Sequence, residues 1–226
     1  SLSEAGRVVF DHVSVSGFKD GAIDIVDGHD VTVSWSHLGD AMDSGDPAER
    51  YHGQPHLIRT GSDRISLHHN YYTHAHTRVP LVYPSVKQPD FRIQFANNVI
   101  YNYGKYPSKF AAPGGLANIV GNVWIPGRNT HADAADGLPP GPAERLPAGT
   151  AHHGFLKPPV IAGNGMRLHL RDNLMLDGTG HDASTFTDRY GKQIRIGRRG
   201  PVTGVRTRDD QPEARILARG RAPADV

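Results

Sequence analysis

The length, composition and charge of this chain exclude several classes of protein. Its 226 residues include 26 glycines and 17 prolines, which disfavours a helical bundle, and its apolar runs fall short of the roughly 18 residues needed to cross a bilayer. Lysine and arginine total 25 against 23 acidic residues, without the basic stripe that binds nucleic acid, and the lack of cysteine excludes disulfides and thiolate metal ligands.

Short strand-like segments recur along the chain. Each segment alternates β-branched or aromatic residues with polar ones, reaches a small polar residue, and then adds another apolar pair. Alternation with a period of two indicates strands rather than helices. In chain order the segments are residues 8–15, 31–38, 65–72, 91–100, 116–124 and 166–175.

A column of equivalent positions runs through these segments. Its members are His12, Ser36, Asn70, Asn98, Asn122 and Asn173. The spacings of 24, 34, 28, 24 and 51 residues favour a solenoid with one repeat per coil, the last spacing then covering about two periods with one rung lost or looped out. An asparagine at such a bend tolerates a left-handed backbone, and stacked asparagines can hydrogen-bond to the coils above and below.

The repeat predicts an all-β fold, namely a right-handed parallel β-helix over residues 1–200 that is incomplete at its N-terminus, followed by a basic tail over residues 201–226. An antiparallel sandwich or barrel is the alternative, although its hairpins would give shorter and more even spacings. Two excursions, residues 39–56 and 126–164, are too long to belong to the coil itself. Loops of this size are usually functional or disordered.

Six ordered motifs carry the most specific signal in the sequence. They are residues 11–16 (DHVSVS), 20–25 (DGAIDI), 31–35 (VTVSW), 67–72 (LHHNYY), 78–81 (RVPL) and 97–101 (NNVIY). Together they resemble the central coils of the pectate lyase family, polysaccharide lyase family 1. The resemblance covers residues 8 to about 125, and it implies a parallel β-helix that cleaves acidic polysaccharide, typically polygalacturonate, by calcium-assisted β-elimination.

The resemblance also implies roles for three residues. The D/E-x-x-x-D pair that binds calcium in the family falls on Asp20 and Asp24, and the arginine of its R-x-P motif, which acts as the base, falls on Arg78. Carboxylate oxygens suit Ca²⁺, and its remaining ligands would come from water, from substrate and from residues upstream of Ser1. Guanidinium groups are normally protonated, so a basic Arg78 requires help from neighbouring cations and calcium.

Each of these assignments has a plainer alternative. Asp20 and Asp24 would lie about 13 Å apart on one face of an extended strand, and a bend at Gly21 would bring them closer. In the plainer interpretation Asp20 belongs to a turn and Asp24 caps a strand. Arg78 can likewise clamp a polyanion without acting as a base.

The sequence departs from the family pattern at two cationic positions. The family lysine before the third coil is replaced by the stretch Gln54-Pro55-His56, and the second arginine, five residues after the catalytic one, is replaced by Tyr83. We therefore expect Gln54, His56 and Tyr83 to contact the substrate, with His56 or Arg59 in place of the lysine. Loss of both cations favours a less charged polymer or a slight activity.

Three other functions remain open from the sequence. His74 and His76 would share a strand face within the histidine-rich run 68–76, but zinc needs three or four convergent ligands. A β-helix glycoside hydrolase would use paired carboxylates as acid and base. The candidate pairs are Asp43 with Asp46 and Asp133 with Asp136. The third possibility is a non-catalytic β-helix that binds polysaccharide.

Location and partners follow from the same observations. No signal peptide is visible at the N-terminus, yet the resemblance implies a secreted, extracellular protein. We expect an acidic polysaccharide as the partner and Ca²⁺ as the cofactor. We also expect a monomer that binds neither nucleic acid nor membrane.

Overall fold

A computed structural model shows a chain built from strands wound into successive coils. The described residues are 1–41, 53–84, 90–104, 107–127, 130, 160–162, 166–176, 185–187 and 193–195. Within these ranges no helix is long and apolar enough to span a membrane. The regular structure consists of β-strands, as the alternating pattern predicts.

Six consecutive coils each contribute three strands. The first coil contains β1 (Leu2–Ser3), β2 (Gly6–Asp11) and β3 (Ser14–Ser16), and the second contains β4 (Ile25–Val26), β5 (His29–Ser34) and β6 (His37–Gly39). The third contains β7 (Leu57–Ile58), β8 (Asp63–His68) and β9 (Tyr71–Thr73), and the fourth contains β10 (Leu81–Val82), β11 (Arg92–Ala96) and β12 (Val99–Tyr101). The fifth contains β13 (Ser108–Phe110), β14 (Leu116–Val120) and β15 (Val123–Ile125), and the sixth contains β16 (Val160–Ala162), β17 (Arg167–Arg171) and β18 (Leu174–Met175).

Equivalent strands of neighbouring coils pair in parallel and form three six-stranded sheets. Sheet A contains the first strand of every coil, sheet B the second and sheet C the third. Every pairing within these sheets is parallel, and each joins one coil to the next. The fold is therefore a right-handed parallel β-helix, as the repeat predicts, and the antiparallel sandwich is excluded.

The core consists of apolar columns that run through the coils. One column of sheet B passes through Val33, Leu67, Phe95, Ile119 and Leu170, which are neighbours in successive strands. All five side chains are buried. Burial of a side chain of this size contributes about 2 kcal/mol, so the repeated inward positions of the strands stabilise the stack.

The corner between sheets B and C contains two residues in every described coil. The first of the two is always left-handed, with φ between 48° at Trp35 and 67° at Gly121. A single left-handed residue redirects the chain sharply without lengthening the connection. We call this two-residue connection the B–C corner.

The second residue of the B–C corner builds the predicted asparagine ladder. The backbone N–H of Asn70 donates to Oδ1 of Asn98 at 2.9 Å, and the N–H of Asn98 donates to Oδ1 of Asn122 at 3.0 Å. The N–H of Asn122 continues the series to Oδ1 of Asn173, also at 3.0 Å. Each amide therefore satisfies a buried donor of the preceding coil.

The structure corrects the first member of the column. Val13, rather than His12, occupies the ladder position, because its backbone N–H donates to Oγ of Ser36 at 3.1 Å. His12 lies one residue earlier, at the left-handed position, where its ring stacks with Trp35 at a centroid distance of 6.3 Å. The predicted column is therefore shifted by one residue in the first coil.

One further detail of the column is corrected. The left-handed residue is the one before each ladder asparagine, such as Asn97 before Asn98, rather than the asparagine itself. Of the two alternatives for the spacing of 51 residues, the looped-out rung is the one that the structure supports, since Asn122 and Asn173 are directly hydrogen-bonded. The extra length lies between β15 and β16.

Among the described residues, Leu176 is the last one that continues the stack. Leu176 still hydrogen-bonds to the carbonyl of Trp124 at 2.9 Å. Beyond it, β19 (Thr185–Thr187) and β20 (Gln193–Arg195) form an antiparallel pair outside the three sheets. The predicted boundary at residue 200 and the basic tail, 201–226, lie outside the described residues.

The corner between sheets C and A varies widely in length. Between the last strand of one coil and the first strand of the next, the chain contains from 6 to 34 residues. We call these connections the C–A corners. They deliver the chain to sheet A. The residues assigned to the site by sequence lie within these connections, except Tyr83, which directly follows β10.

Candidate functional site

Two carboxylates lie on the C–A corner that leads into the second coil. Asp20 is exposed, and Gly21 pairs with Gln54 of the next coil through an isolated parallel bridge. The chain bends over the following two residues, and Asp24 then stands directly before β4 with its side chain half-buried. The segment between the two carboxylates is therefore bent rather than extended.

The carboxylate of Asp24 is held from two sides. Its Oδ1 accepts a hydrogen bond from the N–H of Leu57 in the third coil, 2.8 Å away. Its Oδ2 lies against Gly21, where an added Cβ atom would come within 2.2 Å. Glycine at position 21 leaves the space that this carboxylate fills.

Asp24 is half-buried, and the charges of two other residues act on its carboxylate. Burial raises the pKa of Asp24, and the negative charge of Asp20 raises it further. The hydrogen bond from the N–H of Leu57 and the positive charge of Arg78 both lower it. Residues that lead into the second and the fourth coil thus act on the same carboxylate. The stacking brings Asp20, Asp24 and Arg78 to one end of sheet A.

Arg78 has a left-handed backbone at the entrance to the fourth coil. Its φ is 61°, which is uncommon for a residue with a long side chain, and the Val79–Pro80 peptide bond that follows is cis. The carbonyl of Arg78 accepts from the N–H of His56 at 3.0 Å, and the N–H of Val79 donates to the carbonyl of Pro107 at 2.5 Å. The backbone around Arg78 is therefore tied to both neighbouring coils, which positions its half-buried side chain.

His56 faces the interior of the solenoid, contrary to the sequence-based expectation. Its side chain is fully buried, at 0% exposure. One ring nitrogen, Nδ1, lies 2.8 Å from the carbonyl of Ile23, and the other, Nε2, lies 3.0 Å from the hydroxyl of Tyr72. His56 is thus part of the core and does not reach a polymer at the surface, so we reassign it from substrate contact to structural support.

Gln54 is also largely enclosed. Its side chain is 7% exposed, and its Oε1 has no hydrogen-bond partner among the described residues. Its backbone N–H donates to the carbonyl of Asp20 at 3.0 Å. The residue therefore lies beside the carboxylates, and its contact with substrate stays a prediction.

Tyr83 stands on the outer face of sheet A, beside two cations. Its ring is 45% exposed. Its N–H donates to the carbonyl of Ile58 at 3.0 Å, which sets Tyr83 next to the exposed Arg59 of the third coil. The Nζ atom of Lys109 lies 5.1 Å from the centroid of the ring. Tyr83 is accessible to substrate, and its role in binding substrate stays a prediction.

Sequence reasoning missed Lys109. It lies in β13, in register with Leu81 of β10, one coil beyond the strand that follows Arg78. Its neighbours Ser108 and Phe110 are buried, so Lys109 points outward. In the sequence, Lys109 is recognisable only as a lysine between two residues that face inward. Its position near Tyr83 depends on the register between coils, which the sequence does not show.

The two carboxylates offer a partial site for a hard cation. Asp20 and Asp24 supply oxygen donors of the kind that Ca²⁺ prefers, and Oδ2 of Asp24 is not used in the hydrogen bond to Leu57. Ca²⁺ takes roughly six to eight oxygen ligands, so water, substrate or further residues must complete the shell. In the described part of the chain, no group of three or more His, Cys, Asp or Glu side chains converges. The donor set suits a hard cation in kind but supplies only part of its ligand shell.

The histidine-rich run forms contacts on the surface of the solenoid. The Nδ1 atoms of His68 and His69 are 3.0 Å apart, and Nδ1 of His74 lies 2.8 Å from Oδ1 of Asp40. None of these histidines belongs to a metal-binding group within the described ranges. The carboxylate pairs considered for a hydrolase lie outside the described residues. They are Asp43 with Asp46 and Asp133 with Asp136.

Part of the chain is similar to curated proteins named probable pectate lyase C. The protein from Aspergillus fumigatus is 33% identical over 137 residues, which make up 59% of this chain and 29% of the relative. Those from Neosartorya fischeri and Aspergillus terreus are 33% identical over 137 residues and 30% identical over 138 residues, again covering 29% of each relative. No family model matches the chain.

The chain thus spans 29% of the length of the curated relatives that it matches. Their names agree with the resemblance carried by the six ordered motifs, and the parallel β-helix agrees with the fold which that resemblance implies.

Proposed function

We propose that this chain forms coils of a polysaccharide lyase that acts on a uronate-containing polymer such as polygalacturonate. The main support is the way the third coil ties the two segments together: the N–H of Leu57 donates to Oδ1 of Asp24 at 2.8 Å, and the N–H of His56 donates to the carbonyl of Arg78 at 3.0 Å. The similarity to proteins named probable pectate lyase C gives independent support. We place the polymer along the outer face of sheet A.

In this proposal Asp20 and Asp24 hold Ca²⁺ together with oxygens of the substrate. When bound, the ion would neutralise the carboxylate of a uronate and acidify the proton on its C5 atom. Gly21 supports this role, because it leaves room for Oδ2 of Asp24. The N–H of Leu57 holds the other oxygen of that carboxylate in place.

Arg78 is the proposed base of a β-elimination. The neutral guanidine takes the proton from C5, and the electron pair of the broken C5–H bond forms a C4=C5 double bond. The bond from C4 to the glycosidic oxygen breaks, and that oxygen takes up a proton to become a new chain end. The backbone hydrogen bonds of Arg78 and Val79 fix the chain from which the Arg78 side chain projects.

A second candidate function is binding of acidic polysaccharide without catalysis. The stretch at positions 54–56 favours it, because His56 is buried in the core and Gln54 carries no charge. No cation from these positions therefore assists Arg78. The two functions predict the same ligand and differ only in turnover.

The exchange Arg78→Lys tests the proposal. With polygalacturonate and Ca²⁺, the wild-type chain should generate the ultraviolet absorbance of an unsaturated uronate, and a chelator should abolish it. The variant should lose at least about 100-fold in rate, because lysine keeps the charge but not the guanidine that accepts the proton. Its affinity for the polymer, measured by calorimetry, should stay within about threefold of the wild type, since the charge remains.

Arg171→Lys is the matched control, because Arg171 is exposed on sheet B and pairs with Asp172 at 3.1 Å. It should leave turnover unchanged. Full activity of Arg78→Lys would remove Arg78 from the mechanism. New reducing ends without ultraviolet absorbance would indicate a hydrolase, and binding without either product would indicate the non-catalytic function.

A further inference from the structure

The outer face of sheet A presents a cation that the proposed elimination does not use. Lys109 lies one coil beyond β10, and its side chain points outward between the buried Ser108 and Phe110. Among the described residues it has no ion pair with an acidic side chain. Its Nζ atom instead lies over the ring of Tyr83, 5.1 Å from the centroid.

The contact with Tyr83 places the lysine charge beside an exposed aromatic surface. A cation over a ring is attracted to the negative face of the π system. The contact therefore reduces the freedom of the lysine side chain without neutralising it. The ammonium group keeps N–H donors for an anion, and the ring offers an apolar surface for the C–H groups of a sugar.

Arg59 extends the same surface on the other side of Tyr83. The hydrogen bond from the N–H of Tyr83 to the carbonyl of Ile58 sets Arg59 one strand away, at the usual interstrand spacing of about 4.8 Å. Arg59 is exposed. Two cations therefore flank one aromatic ring on the face that carries the proposed polymer.

We propose that Lys109, Tyr83 and Arg59 form a subsite that binds the carboxylate of a uronate, separate from the sugar whose proton Arg78 removes. The proposal rests on the proposed function, since it takes the same polymer to lie on sheet A. The cation here comes from the fifth coil and is held by an aromatic residue of the fourth. The subsite selects free carboxylates over esterified ones, because an ester carries no charge for Lys109 to bind.

The test is calorimetric binding of oligogalacturonate and of its methyl ester, with a chelator present so that calcium contributes nothing. The wild type should bind the free acid more tightly than the ester. Lys109→Met, which keeps the length and the packing of the stem, should bind the free acid about tenfold more weakly and the ester unchanged, as expected for loss of one charge-assisted hydrogen bond. Lys109→Arg should restore affinity to within about threefold, because the charge returns.

Arg171→Met is the control, because it removes an exposed cation from sheet B and should leave both affinities unchanged. Equal affinity of wild type and Lys109→Met for the free acid would overturn the subsite, whether or not elimination occurs. Absence of wild-type binding to the free acid would also overturn it. Binding that depends on Lys109 in a chain without lyase activity would overturn the proposed function and leave the subsite standing.

Discussion

The ring of His56 has both nitrogens engaged inside the solenoid. A carbonyl can only accept, so Nδ1 carries the proton that is donated to Ile23, and Nε2 is left to accept from the hydroxyl of Tyr72. Burial lowers the pKa of His56 to about 4, which keeps the ring neutral near pH 7. The histidine thus links the segment before Asp24 to β9 through uncharged hydrogen bonds.

We expect the free energy of unfolding to fall as the pH drops from about 6.5 to about 4. In this window the unfolded chain protonates His56 while the folded chain does not, so protons favour unfolding. The stability that the neutral, buried His56 contributes is fully present above pH 6.5, the ordinary pKa of histidine. It is lost as the pH falls to about 4, and below that pH the loss does not grow further. The shift corresponds to roughly 3 kcal/mol, measurable by urea denaturation across that range.

The variant His56→Gln isolates this contribution from that of the other histidines. It should lower stability at neutral pH and flatten the fall between the two pKa values. Tyr72→Phe is the matched control, because it removes a hydrogen-bond partner but leaves the histidine buried, and it should keep the pH dependence. A His56→Gln variant with the wild-type slope would contradict the assignment.

His56 and Lys109 show where sequence reasoning stops at the scale of single residues. Counting back by two from Ile58 places His56 on the inward face, but this count requires knowing that β7 begins at Leu57. The expectation for His56 came instead from its alignment with a family lysine. Lys109 was missed because its neighbour Tyr83 belongs to another coil, and the lengths of the C–A corners are irregular.

At the scale of the structural element, the asparagine ladder is a chain of buried hydrogen bonds with little redundancy. Oδ1 of Asn98 accepts from the N–H of Asn70, and its Nδ2 donates to the carbonyl of Leu67 at 3.0 Å and to Oδ1 of Asn122 at 2.9 Å. We expect Asn98→Ala to reduce the free energy of unfolding by roughly 3–4 kcal/mol, since it leaves a buried donor and a buried acceptor unpaired. Chemical denaturation measures this loss.

Asn118→Ala is the control for the ladder prediction. Asn118 is equally buried, on β14, but its Oδ1 has no hydrogen-bond partner among the described residues. We expect a change of about 1 kcal/mol or less, because little pairing is lost. Equal losses in the two variants would mean that burial of the amide, rather than the ladder, determines the effect.

The ladder was predictable from sequence, whereas the left-handed residue beside it was not. Asparagine recurred at a spacing that only stacked coils explain. The preceding position holds residues such as Trp35 and His69, which rarely adopt a left-handed backbone, at a cost of about 1–2 kcal/mol each. Their rings stack at a centroid distance of 4.5 Å, a contact between coils that offsets part of this cost and that local propensity does not reveal.

At the scale of the whole molecule, coils in the middle of the stack pair with described coils on both sides, whereas the first described coil pairs with one. We expect backbone amides of β8, β11 and β14 to exchange with solvent more slowly than those of β2, by about tenfold or more. Phe10, the partner of the buried Val33 in β5, is only half-buried, which shows the weaker packing of β2. Hydrogen exchange followed by mass spectrometry of peptides from each strand makes the comparison.

Uniform protection along the sheets would contradict this prediction and would indicate that the coils open together. The variant Phe95→Ala provides a control. The ring of Phe95 lies among those of Tyr72, Phe110 and Trp124, with centroids 6.0–6.4 Å away. Its loss should accelerate exchange in the central coils, where the cavity forms, more than in β2.

The overall architecture could be predicted because a solenoid repeats the same pattern of apolar and polar residues in every coil. Each coil carries the same alternation, so the errors at single positions, such as His12 for Val13, did not change the topology. The meeting of Asp20 and Arg78 at Asp24 was expected only through the resemblance. Electrostatic interactions between side chains of different coils depend on where those side chains point after the chain bends. The alternation of residues along a strand does not specify that direction.

The constant B–C corner and the variable C–A corner have a consequence for how such a chain diverges. An insertion of a single residue at the B–C corner would displace a rung of the ladder, whereas the C–A corner already accommodates 34 residues between β15 and β16. Indels during evolution should therefore accumulate along one edge, which borders the face carrying Asp24 and Arg78. New specificities can arise there by loop replacement, and the same edge is the place to graft a foreign peptide.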